Sequence, residues 1–153
     1  MDLASEVSAF SSLMRPLLEE RKIDLEVTTG PGLQRVDMNP QTFSRILQIL
    51  AANSVDWLGR TADARIEVVV RAAGDSSEIL FSDNGPGIPK GLVSRVFDPM
   101  FSLKGGRGMG LTVARGLVEE HGGTIRAIAD GRRRGAHFCI TLPRKRSRAT
   151  VHS

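Results

Sequence analysis

Residues 64–88 read ARIEVVVRAAGDSSEILFSDNGPGI, and this stretch decides the fold. Segments 64–73 and 77–83 each contain a central apolar run, VVV (68–70) and ILF (79–81), and read as β-strands, the second of them buried. Only Gly74, Asp75 and Ser76 separate the two segments, a link of hairpin length. The stretch therefore predicts two antiparallel strands, the second of which ends on Asp83 and runs into a glycine-rich loop.

Similar patterns extend in both directions. Apolar residues at helical spacing predict a helix over 3–20, which Pro16 should kink or break. Asn39 as the cap and Pro40 as the first helical residue predict a second helix that runs to Leu58 and stops at Gly59. The remaining predicted elements are strands over 22–29 and 35–38, a short amphipathic piece over 92–97, a helix over 111–121, and strands over 124–130 and 136–142.

Single helices thus alternate with strand pairs. This order predicts an α/β (α+β) two-layer sandwich in which a mixed, largely antiparallel sheet of about five strands packs against about three helices. A doubly wound parallel fold is excluded, because the links are too short for crossovers. We expect one domain over residues 1–143 and a basic, disordered tail over 144–153.

Composition narrows the class of protein. Hydrophobic residues make up 41% of the 153 residues and charged residues 25%, so the chain can bury a core. The single cysteine, Cys139, excludes a disulfide framework, and we expect a soluble, cytoplasmic domain without signal peptide or membrane contact. Seven of the 21 Lys and Arg residues follow Gly131, and no acid does. The net positive charge is therefore a feature of the C-terminal residues after 131, which disfavours a nucleic-acid-binding body.

Two segments suggest a ligand. A carboxylate fixed at the end of a buried strand, such as Asp83, can accept a hydrogen bond from an exocyclic amine like that of adenine, although a tight turn with a solvated aspartate explains D-x-G-x-G equally well. Gly106, Gly108 and Gly110 open a helix, so backbone N–H groups and the helix dipole point at one place, as a phosphate chain needs. The plainer interpretation of these glycines is a flexible linker. Lys104 lies just before them and can reach a terminal phosphate.

Asn53 lies inside the second predicted helix, where asparagine is disfavoured. Its amide oxygen can coordinate a magnesium ion that bridges phosphates. Asp56 shares its face and can hold a metal-bound water or pair with a basic side chain. A buried asparagine bonded to a neighbouring loop is the simpler alternative.

Four segments follow one another in an order and at a spacing that are specific to one protein family. They are LQILAANSVDWL (47–58), DNGPGI (83–88), VFDPMFSLK (96–104) and GGRGMGL (105–111). They resemble the N, G1, F and G2 boxes of the ATP-binding catalytic domain of bacterial sensor histidine kinases, in the GHKL ATPase superfamily. The short interval between Phe97 and Gly106 resembles the short-lid, nitrogen-regulation type.

The resemblance implies ATP and Mg²⁺ as cofactors. Asn53 would be the magnesium ligand and, with Lys104, the catalytic pair, while Asp83 would bind the adenine amine. Trp57 would lie near the base or, equally well, in the core. The implied ATP-binding residues are Asn53, Asp56, Trp57, Asp83, Gly85, Gly87, Ile88, Phe97, Phe101, Lys104, Gly106, Arg107, Gly108, Met109, Gly110 and Leu111.

The resemblance also implies an activity. The domain would donate the γ-phosphate of ATP to a histidine on a dimerisation hairpin outside this chain, for relay to a response regulator. None of His121, His137 and His152 fits the acceptor, and the isolated domain is expected to be monomeric. Ile49 stands where hydrolysing relatives carry a general base, so hydrolysis should be slow. The alternatives are a serine kinase of the anti-sigma type and a non-catalytic, nucleotide-gated interaction module.

Overall fold

The computed structural model describes residues 1–98, 110–128 and 134–145. Helix α1 spans Leu3–Glu20, α2 spans Pro40–Leu58 and α3 spans Gly110–Glu120. The strands are β1 (Asp24–Thr29), β2 (Arg65–Ala73), β3 (Ser76–Asp83), β4 (Thr124–Ile128) and β5 (His137–Pro143), and a 3-10 helix covers Lys90–Arg95. Most predicted elements are thus confirmed to within two residues at their ends.

The five strands form one sheet in the order β1-β2-β3-β5-β4. Strand β1 runs parallel to β2, and the other three pairings are antiparallel. The predicted mixed, largely antiparallel sheet is therefore confirmed. Strand β3 is hydrogen-bonded on both sides, so its last residue, Asp83, is held opposite Ile66 of β2.

The hydrophobic core lies between the sheet and the helices. One stripe of α2 is buried, and it includes Phe43, Ile46, Leu47, Leu50 and Ser54. Phe10 of α1 meets Phe81 of β3 edge to face, with ring centroids 6.4 Å apart. Burying a phenylalanine of this kind contributes about 2 kcal/mol, so these contacts anchor the helices on the sheet.

The ends of α2 follow from its sequence. The Asn39 side chain accepts a hydrogen bond from the Gln41 N–H at 2.8 Å, and Pro40 occupies the first turn, where an N–H has no helical partner. Gly59 ends the helix with φ +50°. Both ends are therefore confirmed, and they fix which residues of α2 face the sheet.

Of the kink or break predicted at Pro16, the break is wrong, because α1 continues through it as one helix, and the kink stays a prediction. Proline costs the helix the bond to the carbonyl four residues earlier, that of Ser12. Ser12 and Pro16 both lie on the exposed side, so water can satisfy that carbonyl. The Arg15 side chain also ties the helix to the edge strand by donating to the Leu25 carbonyl at 2.6 Å.

The predicted strand over 35–38 is also wrong. Val36 forms one isolated bridge, to Arg144, and its backbone N–H and C=O both bond to Met1. Among the described residues, this segment bonds only to Met1, Arg144 and Lys145, which are too few to form a ladder.

The first two residues of the expected tail, Arg144 and Lys145, are bonded to the domain: their N–H groups donate to Asp75 and Arg35 carbonyls at 3.1 and 2.6 Å. Residues 146–153 lie outside the described residues, so the division at 143/144 stays a prediction. Within the described ranges, no helix is long and apolar enough to span a bilayer.

Replacing Gly116 by alanine is expected to stabilise the domain by about 0.5–1 kcal/mol. Gly116 lies in α3 with open space where a Cβ would stand, and alanine restricts the unfolded chain more than glycine does. The measurement is the free energy of unfolding in urea. Gly74→Ala is the control, because Gly74 has open space but φ +60°, and it should lose stability. A loss at Gly116 would contradict the helical conformation assigned to it.

Candidate nucleotide-binding site

The Asp83 carboxylate is the best-defined polar group of the site. Its side chain points to the helix side of the sheet, and the residue is only 4% exposed. Oδ2 accepts from the Ser54 hydroxyl at 3.0 Å, and Oδ1 accepts from the backbone N–H groups of Gly85 (3.0 Å) and Ala136 (3.1 Å). The alternative of a solvated aspartate in a tight turn is therefore wrong.

Two glycines let the loops around Asp83 pack against each other. Gly135 has φ +107°, and a Cβ there would overlap the Asp83 carbonyl oxygen. Gly87 has φ +85°, and a Cβ there would come within 2.9 Å of the Gly135 carbonyl oxygen. Arg134 closes the same contact from outside, because its Nε donates to the Gly85 carbonyl at 3.3 Å. The loop after β3 and the start of β5 thus form one wall of the site.

Asn84 supports that wall. Its Oδ1 accepts from the Arg65 N–H at 2.7 Å, and its Nδ2 donates to the Asp63 carbonyl at 2.8 Å. Both polar atoms of its side-chain amide bond to the segment that leads into β2, so Asn84 fixes where the glycine loop leaves the sheet.

Helix α2 supplies the opposite wall. Asn53 is half-buried, and within the described residues its Nδ2 is buried without a hydrogen-bond partner. Asp56, one turn further, is exposed. In the part of the chain described, the Asn53 Nδ2 group therefore does not bond to a neighbouring loop, as the simpler alternative required. Its oxygen is of the hard type that Mg²⁺ prefers, so the residue fits a magnesium ligand.

Trp57 packs in the core. It is 8% exposed, and its ring stacks on Phe138 with centroids 5.9 Å apart and planes inclined by 20°. Trp57 is therefore packed as a core residue, which was one of its two interpretations, and its contact with a bound base stays a prediction. Its carbonyl oxygen lies where a Cβ on Gly85 would approach to 3.3 Å, which keeps α2 close to the glycine loop.

The segment around Phe97 joins the same core. The Phe97 ring meets Phe138 edge to face at 6.1 Å, and the Arg115 guanidinium lies 5.8 Å from the Phe97 ring centroid. The Thr112 hydroxyl donates to the Phe97 carbonyl at 2.9 Å. Phe97 is therefore anchored to both α3 and β5.

The start of α3 lies against α2. Gly110 is its first residue, and a Cβ there would come within 3.3 Å of Cγ2 of Ile49. Leu111 is buried beneath it, and Ile88 packs against the same core. The structure thus brings together the described members of the predicted set. The other predicted site residues, Phe101, Lys104, Gly106, Arg107, Gly108 and Met109, lie outside the described residues.

The sequence did not single out Ser54, Gly135 or Ala136 as site residues. Ser54 carried a usable signal, because a hydroxyl on a buried stripe must find a partner. Ala136 carried none, since it acts through its backbone N–H.

The comparisons with known proteins agree with this geometry. Residues 38–146 match the family model described as "Histidine kinase-, DNA gyrase B-, and HSP90-like ATPase". The chain belongs to this ATPase family. The resemblance inferred from the four boxes is therefore confirmed.

Similar members of the ATPase family are sensor kinases. The sensor histidine kinase ZraS of Klebsiella oxytoca is 35% identical over 146 residues, which cover 94% of this chain but only 31% of ZraS. The chain thus spans about a third of that relative's length.

Solved structures share the fold. The nucleotide-free catalytic domain of histidine kinase ThkA superposes with a TM-score of 0.82 at 22% identity, covering 94% of this chain and 93% of that domain. Full-length ShkA, solved in complex with AMPPNP, superposes with a TM-score of 0.81 at 21% identity, covering 96% of this chain and 31% of ShkA. The predicted two-layer fold is confirmed.

Proposed function

We propose that this domain binds ATP with Mg²⁺ and donates the γ-phosphate to a histidine on a helical hairpin of the same kinase. It would be the catalytic domain of a two-component sensor histidine kinase. The observation that carries the proposal is the buried Asp83 carboxylate, held at the end of the central strand β3 and facing α2. The similarity to ZraS, a sensor histidine kinase, supports the reaction class.

The purine would bind at Asp83, whose charged carboxylate accepts from the adenine 6-amino group. Gly85 and Gly87 would shape the pocket for the base, because without side chains the loop after β3 packs closely against α2 and the segment before β5. The triphosphate would then extend towards the first residues of α3, whose unpaired N–H groups and dipole favour anions. Gly106, Gly108 and Lys104, which precede this helix in the sequence, are proposed to continue the phosphate site.

Asn53 is the proposed magnesium ligand, and Asp56 can hold water around the ion. When bound, Mg²⁺ would neutralise charge on the phosphates during transfer. The role of the protein is then mainly positioning: one wall fixes the base, and α2 and α3 fix the phosphate end.

Ile49 supports transfer to a protein rather than to water. Its side chain lies beside Gly110, at the point where α2 meets the start of α3. An alkyl group cannot accept a proton from water, so this turn of α2 supplies no general base there. A well-placed acceptor histidine, itself a nucleophile, needs no such base.

The direct test is a mixing experiment with γ-labelled ATP, Mg²⁺ and the helical hairpin that belongs to the same kinase. We expect acid-labile label on the hairpin, and none on a hairpin whose acceptor histidine is replaced by alanine. Acid-stable label would instead indicate a serine kinase. Binding of ATP without any transfer would indicate a nucleotide-gated interaction module.

The partners and location follow from the proposal. The phosphorylated hairpin would pass its phosphoryl group to a response regulator, and the domain would work in the cytoplasm, where ATP is available. The isolated domain is expected to be monomeric, which sedimentation tests.

A further inference from the structure

We propose that Ser54 is a positioning residue that makes the site select a 6-aminopurine over guanine. This inference rests on the proposed function and names the group that sets its base specificity. Ser54 does so by donating to Oδ2 of Asp83, which fixes the direction of the one acceptor position that this oxygen keeps for the ligand.

The acceptor positions can be counted. An ionised carboxylate offers about four lone-pair positions, two on each oxygen. Oδ1 of Asp83 accepts two backbone N–H groups, those of Gly85 and Ala136, so it is fully used. Oδ2 accepts the Ser54 hydroxyl and keeps one position. The carboxylate can therefore accept one further hydrogen bond from a ligand.

One acceptor position suits adenine and not guanine. Adenine presents a single amino group beside an unprotonated ring nitrogen, so one acceptor satisfies its donor. Guanine presents two adjacent donors, a ring N–H and an amino group, and a carboxylate pairs with both only when its two oxygens are free. Its 6-oxo group would also face Oδ2, and two acceptors repel. Groups left unpaired in a buried site cost more binding than a merely looser fit.

The position of Ser54 suggests that its hydroxyl serves this bond. Ser54 is 1% exposed and lies in the interior of α2, where alanine is the better helix former. A helical serine commonly bonds back to its own helix, four residues earlier. Here the hydroxyl crosses from α2 to β3 and donates to a charged acceptor. Ser54 also follows Asn53 directly, so the same turn of α2 orients the purine carboxylate and carries the proposed metal ligand.

The test compares Ser54→Ala with the wild type in the affinity for ATP and GTP, each with Mg²⁺. We expect ATP to bind about tenfold more weakly, because the oxygen that accepts from the adenine amine is then no longer oriented by Ser54, and GTP to change by less than about twofold, because guanine makes no such bond. The ATP-to-GTP preference should therefore fall about tenfold. Ser44→Ala is the matched control, because Ser44 lies on the same helix and its hydroxyl accepts from Gln48 Nε2 at 2.8 Å. It should keep the wild-type preference.

A merely structural role of Ser54 would weaken both nucleotides alike and leave the preference unchanged, which would overturn the inference. A double-mutant cycle adds a second criterion: in an Asp83→Asn background, Ser54→Ala should no longer change the preference. A change that persists there would mean that Ser54 does not act through Asp83, and would also overturn it.

The two proposals fail differently. If the wild type does not bind ATP, the proposed function is wrong and this inference falls with it. If the wild type prefers ATP and Ser54→Ala prefers it equally, the nucleotide site stands and only the role of Ser54 is wrong.

Discussion

Replacing Asp83 by asparagine is expected to weaken ATP binding by about 10- to 100-fold, because hydrogen bonds to charged groups contribute about 1.5–3 kcal/mol. The amide must place its NH₂ group on one side. If its oxygen continues to accept from Gly85 and Ala136, the NH₂ group takes the place of Oδ2. The rotatable Ser54 hydroxyl can then accept from it, so the fold survives. The adenine amine, however, meets a second donor, and the base loses its partner.

Titration calorimetry with ATP and Mg²⁺ measures this effect, and the far-ultraviolet circular dichroism spectrum shows whether the fold is kept. Asp75→Asn is the matched control, because Asp75 is an exposed carboxylate in the turn at the opposite end of β3. It should bind ATP as the wild type does. Wild-type affinity in a folded Asp83→Asn variant would remove Asp83 from the site and with it the main support for the proposed function.

Replacing Gly135 by alanine is expected to destabilise the domain by about 2–5 kcal/mol, the sum of backbone strain and overpacking. A Cβ on Gly135 would overlap the Asp83 carbonyl oxygen, and φ +107° is a conformation that L residues rarely adopt. Relief requires the start of β5 to move away from β3, which also removes the Ala136 N–H from the carboxylate. The variant should therefore lose both stability and ATP affinity.

Urea unfolding gives the stability, and Gly32→Ala separates the two causes. Gly32 also has a positive φ, +76°, but no atom stands within 4 Å of the place that a Cβ would take there. It should lose only the strain contribution, about 1–2 kcal/mol, and keep its ATP affinity. Equal losses for the two variants would mean that the close contact between Gly135 and Asp83 does not exist.

Local signals in the sequence were sufficient for most of the fold. The Asn39 cap, Pro40 and Gly59 define α2 without help from the rest of the chain, because capping depends on neighbouring residues only. The apolar runs at 68–70 and 79–81, with the short Gly74-Asp75-Ser76 link between the segments, defined the β2–β3 hairpin in the same way. Where the outcome depended on distant residues, prediction failed: 35–38 has a strand-like sequence, but within the described ranges it forms only one bridge, between Val36 and Arg144.

The residues of the candidate site also fall into those that the local sequence predicts and those that it does not. Asp83, Gly85 and Asn53 stand in recognisable boxes, so their grouping was predicted and the structure brings them together. The bond from Ser54 to Asp83 joins residues 29 apart in sequence, and that from Ala136 joins residues 53 apart. Neither can be read from local spacing. The Ala136 bond, moreover, uses a backbone group that every residue except proline possesses.

The central place of β3 has a consequence for measurement by hydrogen exchange. Its amides are paired with β2 on one side and β5 on the other, so they should exchange with solvent deuterium only when the whole domain opens. Their exchange rates then report the equilibrium constant for global opening. Because nucleotide binds the folded domain, saturating nucleotide lowers that constant and should slow exchange by the same factor. Amides at the end of β3 would thus give the affinity of the ligand held at Asp83 without any label on the ligand.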